Sequence, residues 1–318
     1  MPLVTVIIPT YNRESYLKET IECVQKQTFQ DMEIIIIDDG STDNTRGVVE
    51  SYAKQDSRIQ YLWQANNIGT AGAGRNRAIK IAKGKYIAFL DDDDRWLPEK
   101  IKRQVTFMEA NPEIGFCYVR FQIYQKKDGQ LEKGKLFPHY LADKFEDMTQ
   151  AFIAPSSTMF RTRCLQQTQG FSIKYWPCDD FALWLEFGQK WKFAPIDEVL
   201  TYTVMDGRTH GAQDEMKVYK TGIHILRELK LIPPYHHHQG WVKQQIAFRF
   251  YEIGRMYLDR AQYWSAAQNF IWAVLTDPLV GLRVQRQGEA GLQLFIRVFK
   301  SYIAIPACIV KGLFYGRR

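Results

Sequence analysis

Through the first 125 positions of this chain, short apolar runs alternate with amphipathic stretches. Val4–Ile8, Met32–Ile37, Ile59–Trp63 and Lys85–Leu90 predict strands. Between them, Glu14–Gln27 places Leu17, Ile21 and Val24 on one helical face. Thr42–Lys54 predicts a second helix, opened by the capping residues Ser41 and Thr42. Ala71–Lys83, stopped by Gly84, and Pro98–Ala110, with Pro98 at its first position, predict two more. Apolar strands separated by helices predict an α/β fold with a mostly parallel central sheet flanked by helices on both faces. In such sheets ligands bind at the carboxyl ends of the strands.

Beyond this region the pattern loosens. Phe116–Tyr124, Ser157–Phe160 and Val199–Val204 predict strands, Lys127-Asp128-Gly129 a turn, and Asp180–Lys190 a helix. From about residue 213 the periodicity is helical only. Tyr251, Gly254, Tyr257, Tyr263, Ala266, Phe270, Ala273 and Asp277-Pro278 give residues 245–278 a resemblance to a single tetratricopeptide-like hairpin. Farther on, Leu292, Phe295, Ile296, Phe299 and Ile303 share one face of a final amphipathic stretch.

Charge alters the picture only at that end. Of the net +7, residues 279–318 hold +6, seven basic side chains against Glu289. A basic amphipathic tail fits either an anionic membrane surface or a dock on its own domain. It is no nucleic-acid footprint, because the cations lie on one apolar tail rather than on a mixed aromatic face. The five cysteines are scattered and form no CxxC pair, which speaks against a disulfide framework and fits a reducing cytoplasm. The N-terminus has no basic region or cleavage pattern, and no window of ~18 uncharged apolar residues predicts a membrane span.

The chemistry concentrates at two predicted strand ends. Ile34–Ile37 runs into Asp38-Asp39-Gly40-Ser41, and Phe89-Leu90 runs into Asp91-Asp92-Asp93-Asp94. An isolated acidic run is usually a solvated turn. Two on one sheet edge point instead to a site. Four adjacent carboxylates resist burial unless a cation offsets them, and a hard divalent metal shared with a phosphate does so.

These stretches resemble the motifs of the family 2 glycosyltransferases. Val4–Arg13 is similar to their opening, Asp38–Asp43 to their second motif, and Asn67-Ile68-Gly69 with Arg75-Asn76 to their third. Asp91–Asp94 resembles their metal motif, and Asp179-Asp180-Phe181-Ala182-Leu183-Trp184 their Glu-Asp motif, with Asp179 where Glu is usual. The order agrees across roughly residues 3–210.

The resemblance implies a GT-A fold and inverting transfer of a sugar from a nucleotide-diphosphate donor, UDP being the expected carrier. It implies that Pro9, Tyr11 and Asp39 meet the nucleobase region and that Arg75 lies near the base or diphosphate. Arg13 and Asn67 are further donor-side candidates. Asp91 and Asp92 would approach ribose and metal, and Asp93, with Asp91, would hold Mn²⁺ or Mg²⁺. Asp180 is the first candidate base and Asp179 the second, the alternative for Asp180 being a helix cap. His210, in Arg208-Thr209-His210, is a candidate for the diphosphate or metal. The tract His236-His237-His238 reads as loop. Trp176, Trp184 and Trp191 are candidates for stacking on sugars, Trp184 reading better as core.

The implied organisation is a catalytic domain at 1–212, with a nucleotide-sugar-binding half (1–110) and an acceptor-side half (111–212). A helical extension (213–288) and the basic tail (289–318) follow. The acceptor would be a saccharide or a lipid-linked saccharide in cell-surface polysaccharide or glycolipid synthesis. A nucleotidyltransferase would want a Gly-rich basic loop after the first strand, and Pro9-Thr10-Tyr11-Asn12 is none. A non-catalytic sugar-nucleotide-binding or scaffold protein is the remaining alternative.

Overall fold

The computed structural model describes residues 1–278 except 66, 128–129, 139–140, 149–151, 206–213 and 230–237. His210, most of the His236–His238 tract and the basic tail lie outside the described residues. The chain divides into two compact units, Met1–Gly211 and Ala212–Arg318.

The first unit runs β1 (Val4–Thr10), α1 (Glu14–Gln25), β2 (Met32–Asp38), α2 (Thr45–Ala53), β3 (Ile59–Trp63), α3 (Ala71–Ile81), β4 (Tyr86–Phe89), β5 (Asp94–Trp96) and α4 (Lys100–Ala110). It continues with β6 (Ile114–Lys127), β7 (Gln130–Phe137), β8 (Thr158–Arg161), α5 (Thr162–Leu165), α6 (Asp179–Lys190) and β9 (Lys192–Met205). The sheet order is β3-β2-β1-β4-β8-β6-β9-β5, with β7 on β6.

The expected parallel order holds for β3-β2-β1-β4, where a helix links each strand to the next. Beyond β4 the sheet is mixed. β8 pairs antiparallel with both β4 and β6, β7 with β6, and β5 with β9, while β6 and β9 run parallel. Parallel neighbours are usually joined by a crossover helix, and the described residues between β6 and β8 hold β7 and two 3₁₀ turns but no α-helix.

Strands β1, β2 and β4 are buried along their whole length, which is why they read as near-continuous apolar runs. On one face Val6, Ile8, Ile34 and Ile36 pack with Leu17, Ile21 and Val24 of α1 and Val49 of α2. On the other, an aromatic stack docks α6. Phe116 lies 4.7 Å from Phe160 and 5.2 Å from Phe187, and Phe160 lies 5.2 Å from Trp184. Trp184 is core, only 2% exposed, as its apolar helix position predicts.

Among the helix boundaries that differ from the sequence reading, three have a visible cause or role. α2 begins at Thr45, because Ser41 and Thr42 are engaged by Asn12: the Asn12 N–H donates to Ser41 Oγ, and Asn12 Oδ1 accepts from the Thr42 N–H. α3 ends at Ile81. Gly84 serves instead for close passage, since a Cβ there would lie 2.5 Å from the Thr5 nitrogen. Pro98 precedes α4 by two residues, and its carbonyl accepts from the Thr28 N–H.

The second unit contains α7 (Glu215–Leu229), α8 (Gln239–Asp259) and α9 (Tyr263–Thr276). α8 and α9 form an antiparallel hairpin around Ala247, Tyr251, Ala266, Ala267, Phe270 and Ala273. Gly254 lets α9 approach, as a Cβ there would meet the Phe270 ring at 2.8 Å.

Candidate active site

The acidic segment is fixed through its backbone. Its first amide, of Asp91, donates to Ser156 Oγ at 2.9 Å. Thr20 Oγ1 donates to the Asp92 carbonyl at 2.6 Å, and Thr203 Oγ1 to that of Asp93 at 3.1 Å. The buried Arg95 guanidinium donates to the Asp94 carbonyl at 2.8 Å. With the main chain so occupied, Asp91, Asp92 and Asp93 present their side chains at the carboxyl end of β4. Burial pushes the Asp92 carboxyl up to about 7, with the Asp93 charge adding to it. Asp93 and Asp94 are raised by the same causes, burial first and neighbouring acids second. Arg13, at the start of α1, opposes this from 3.5 Å at Asp92 and 4.0 Å at Asp93.

Arg75 joins this cluster to a second one. Thr70 caps α3 by accepting the Ala73 N–H, which sets the helix that carries Arg75. The buried guanidinium is paired with Asp91, lies 4.0 Å from Asp179, and rests 5.0 Å above the Phe171 ring. Its Nε is buried without a hydrogen-bond partner. Gly72, one turn back, makes room: a Cβ there would lie 2.4 Å from Asp179 Oδ2 and 2.8 Å from Phe171 Cβ. Asp179 and Asp180 form the first turn of α6. Burial and then the Asp179 charge push Asp180 up to about 7, and burial raises Asp179 as well. Asp180 Oδ1 accepts the Phe181 N–H at 2.6 Å, so it also satisfies one amide of the first turn.

At the end of β2 the two aspartates part company. Asp38 is fully buried and committed, accepting from the Ser41 N–H at 2.8 Å and the Tyr61 hydroxyl at 2.5 Å. Asp39 accepts from the Gln64 side chain and from the Ile68 and Gly69 N–H groups at 3.1 Å. It thereby ties the exposed Asn67 segment to the sheet edge. Pro9 pairs beside Ile37, and the Thr10 carbonyl accepts the Asp39 N–H, so Pro9 and Asp39 share that edge. Tyr11, just past it, is 43% exposed. The structure thus brings together Arg13, Asp92 and Asp93, and separately Arg75, Asp91 and Asp179.

Among the described residues no group of three His, Cys, Asp or Glu side chains is arranged to hold a metal. The donor set nevertheless fits a hard cation. Asp91 and Asp93 supply carboxylate oxygens, and the raised acids around them carry crowded charge that a cation relieves. Mg²⁺ and similar ions commonly take one or two carboxylates and complete their shell with phosphate oxygens and water.

Sequence reasoning missed the supports Thr20, Arg95, Ser156, Thr203 and Gln64. Only Arg95 carried a signal, as a cation directly after four acids. The rest come from distant elements.

Residues 5–168 match the family described as glycosyl transferase family 2. The chain is 36% identical over 239 residues to an uncharacterized glycosyltransferase of Rickettsia felis, covering 73% of this chain and 38% of that one. It is 36% identical over 192 residues to the UDP-Glc:alpha-D-GlcNAc-diphosphoundecaprenol beta-1,3-glucosyltransferase WfaP of Escherichia coli, covering 60% of this chain and 72% of that one. The matched stretch spans 35–52% of the first three curated relatives. Among solved structures, residues 1–349 of Staphylococcus aureus TarS in complex with UDP-GlcNAc superpose with a TM-score of 0.68 at 19% identity, covering 98% of this chain and 92% of that one.

Proposed function

The chain belongs to glycosyl transferase family 2, has a GT-A fold and is a glycosyltransferase, and from that premise we propose that it moves a sugar from a UDP-sugar to a hydroxyl of a lipid-linked saccharide, with inversion and with help from a divalent metal. The observation that carries this reading is Arg75 lying between Asp91 and Asp179. It joins the donor-side acids to the first turn of α6, which carries both candidate bases.

In the proposed reaction the acceptor oxygen bonds to the anomeric carbon as the carbon–oxygen bond to the diphosphate breaks. The nucleoside diphosphate leaves with the bonding electrons. Asp180 takes the hydroxyl proton and later releases it to water. A carboxyl held near 7 is suited to this, because a base works best with a pKa close to the working pH. Arg75 orients Asp179 and offers its charge toward the departing diphosphate. Asp91 and Asp93 would hold Mn²⁺ or Mg²⁺, which neutralises charge on that leaving group. Asp39, Pro9 and Tyr11 would meet the base, a carboxylate being an acceptor for an imide N–H.

Two names support the substrates. The Escherichia coli relative is named for a UDP-Glc donor and a GlcNAc-diphosphoundecaprenol acceptor, and the TarS structure holds UDP-GlcNAc. Among the described residues no helix is long and apolar enough to cross a membrane. A lipid-linked acceptor and a basic tail fit a place at the membrane surface.

The test is turnover of a panel of nucleotide sugars with Mn²⁺ or Mg²⁺, in the wild type and in Asp93→Ala. Metal-dependent use of a UDP-sugar, reduced about 100-fold or more in the variant, is expected. Failure of the wild type to bind or turn over any donor would overturn the reading.

A further inference from the structure

Helix α9 carries no charged side chain along its 14 residues. Ala266, Ala267, Phe270 and Ala273 are buried in its contact with α8. On a helical wheel the opposite side of α9 holds Trp264, Gln268, Ile271, Trp272 and Leu275, all of them exposed and all within an arc of about 100°. Trp264 is 49%, Ile271 38%, Trp272 48% and Leu275 70% exposed. Trp272 also borders the Phe250 ring of α8, with 6.3 Å between centres.

Lone exposed apolar side chains are ordinary. A surface helix, however, normally turns its charged and polar residues outward. α9 does the reverse: its outward stripe is apolar, with Gln268 as its polar member. A contiguous stripe of this kind marks a surface that meets something other than water.

Two facts select the occupant. Trp264 and Trp272 belong to the residue type that settles at a lipid–water boundary, its ring apolar and its N–H polar. The chain then runs on from Pro278 into residues 279–318, which hold +6 of the net charge of +7. A protein partner or a second copy of the chain would cover the stripe but gives that charge no role. An anionic lipid surface takes both, since an apolar anchor joined to a polybasic segment is a pairing that makes membrane attachment lasting. A helix of 14 residues is only about 21 Å long, short of the ~30 Å hydrocarbon core, so it would lie along the surface and not through it.

We propose that the stripe of Trp264, Ile271, Trp272 and Leu275 is a membrane-docking face that settles into the headgroup layer of an anionic lipid surface, beside the basic segment that follows it. This goes beyond the transfer reaction and does not depend on it.

The experiment uses the full chain and vesicles of phosphatidylcholine, alone or with about one-third phosphatidylglycerol. Cosedimentation reads binding, and quenching of tryptophan fluorescence by brominated acyl chains reads insertion. Three variants are compared with wild type: Trp264→Glu with Leu275→Glu, Trp264→Phe with Leu275→Ile, and Arg297→Glu with Lys300→Glu. Thermal melts confirm that each is folded. Wild type is expected to bind the anionic vesicles and to be quenched by their acyl chains. The Glu pair on α9 is expected to lower affinity about tenfold or more, and the conservative pair to stay within about threefold of wild type. Neutral vesicles, or the charge reversal in the tail, are expected to weaken binding about tenfold. A Glu pair on α9 that binds within about twofold of wild type overturns the docking face. So does a wild type that ignores anionic vesicles, or that binds them without quenching. A lipid-free dimer abolished by the same Glu pair overturns it too, by giving the stripe to a second copy. A chain that binds vesicles as expected but turns over no donor supports the docking face and overturns the proposed reaction alone.

Discussion

Asn76 and Phe171 are 95 positions apart and are joined like two residues of paired strands. The Asn76 amide donates to the Phe171 carbonyl at 2.7 Å, and its oxygen accepts the Phe171 N–H at 2.8 Å. Phe171 in turn carries the Arg75 guanidinium on its ring and packs edge-on against Phe89 at 5.2 Å. Asn76 thus places Arg75 from beneath. Asn76→Ala leaves both Phe171 groups without these partners, which costs about 1–3 kcal/mol for each buried group. The expected outcome is a lower melting temperature and a kcat reduced about tenfold or more, with a smaller change in donor KM. Kinetics at saturating donor checks this.

Gly72 tests the same platform by filling it. In Gly72→Ala the new methyl would collide with Asp179 Oδ2. Asp179 then loses its place beside Arg75. Turnover is expected to fall by about 100-fold while UDP binding, read by calorimetry, stays within about threefold of wild type.

Asp180 sets a pH signature. Its carboxyl is pushed up to about 7 and, in the proposed reaction, would act as base only when ionised. kcat should therefore rise with pH through about 7. The Asp179 charge is one cause of that elevated value, so Asp179→Asn lowers it. The acid limb of the profile is expected to move down by roughly one pH unit. A limb that stays in place would remove Asp180 from the role of base.

Lys100 should cost stability at neutral pH. Its ammonium is fully buried, 2.7 Å from Gln104 Oε1 and 3.9 Å from the centre of the Trp96 ring. Burial pulls it from 10.5 down to about 7. The unfolded chain therefore binds a proton that the folded one sheds between these values, so stability rises as pH climbs from 7 to 10.5. Lys100→Met removes the penalty. Melting temperature should rise by roughly 2–4 °C per kcal/mol recovered at pH 7, with the gain fading by pH 10.

The first half of the fold was legible because its strands are buried on both faces. Ile59–Trp63 matches to the residue, and β1, β2 and β4 match to within a few. The second half was not, because whether β8 runs parallel or antiparallel depends on neighbours that local periodicity does not encode. The start of α2 was misplaced for a related reason: Asn12, 30 positions away from Thr42, holds the residues that would have capped it. In the site, the acids themselves were visible as charge at strand ends. The groups that restrain them were not, because Thr20, Ser156 and Thr203 carry ordinary hydroxyls whose role exists only in the folded contacts. Arg75 was found, but its link to Asp179 was not.

The hydroxyl and guanidinium anchors on residues 91–94 also bear on how a nucleotide arrives. Ordering a loop during association subtracts from affinity and slows capture. Here the main chain of that segment is already held by these hydrogen bonds without a ligand, so the encounter should have no folding step to wait for at β4. A mixing experiment should show a single exponential whose rate grows in proportion to nucleotide concentration without a plateau.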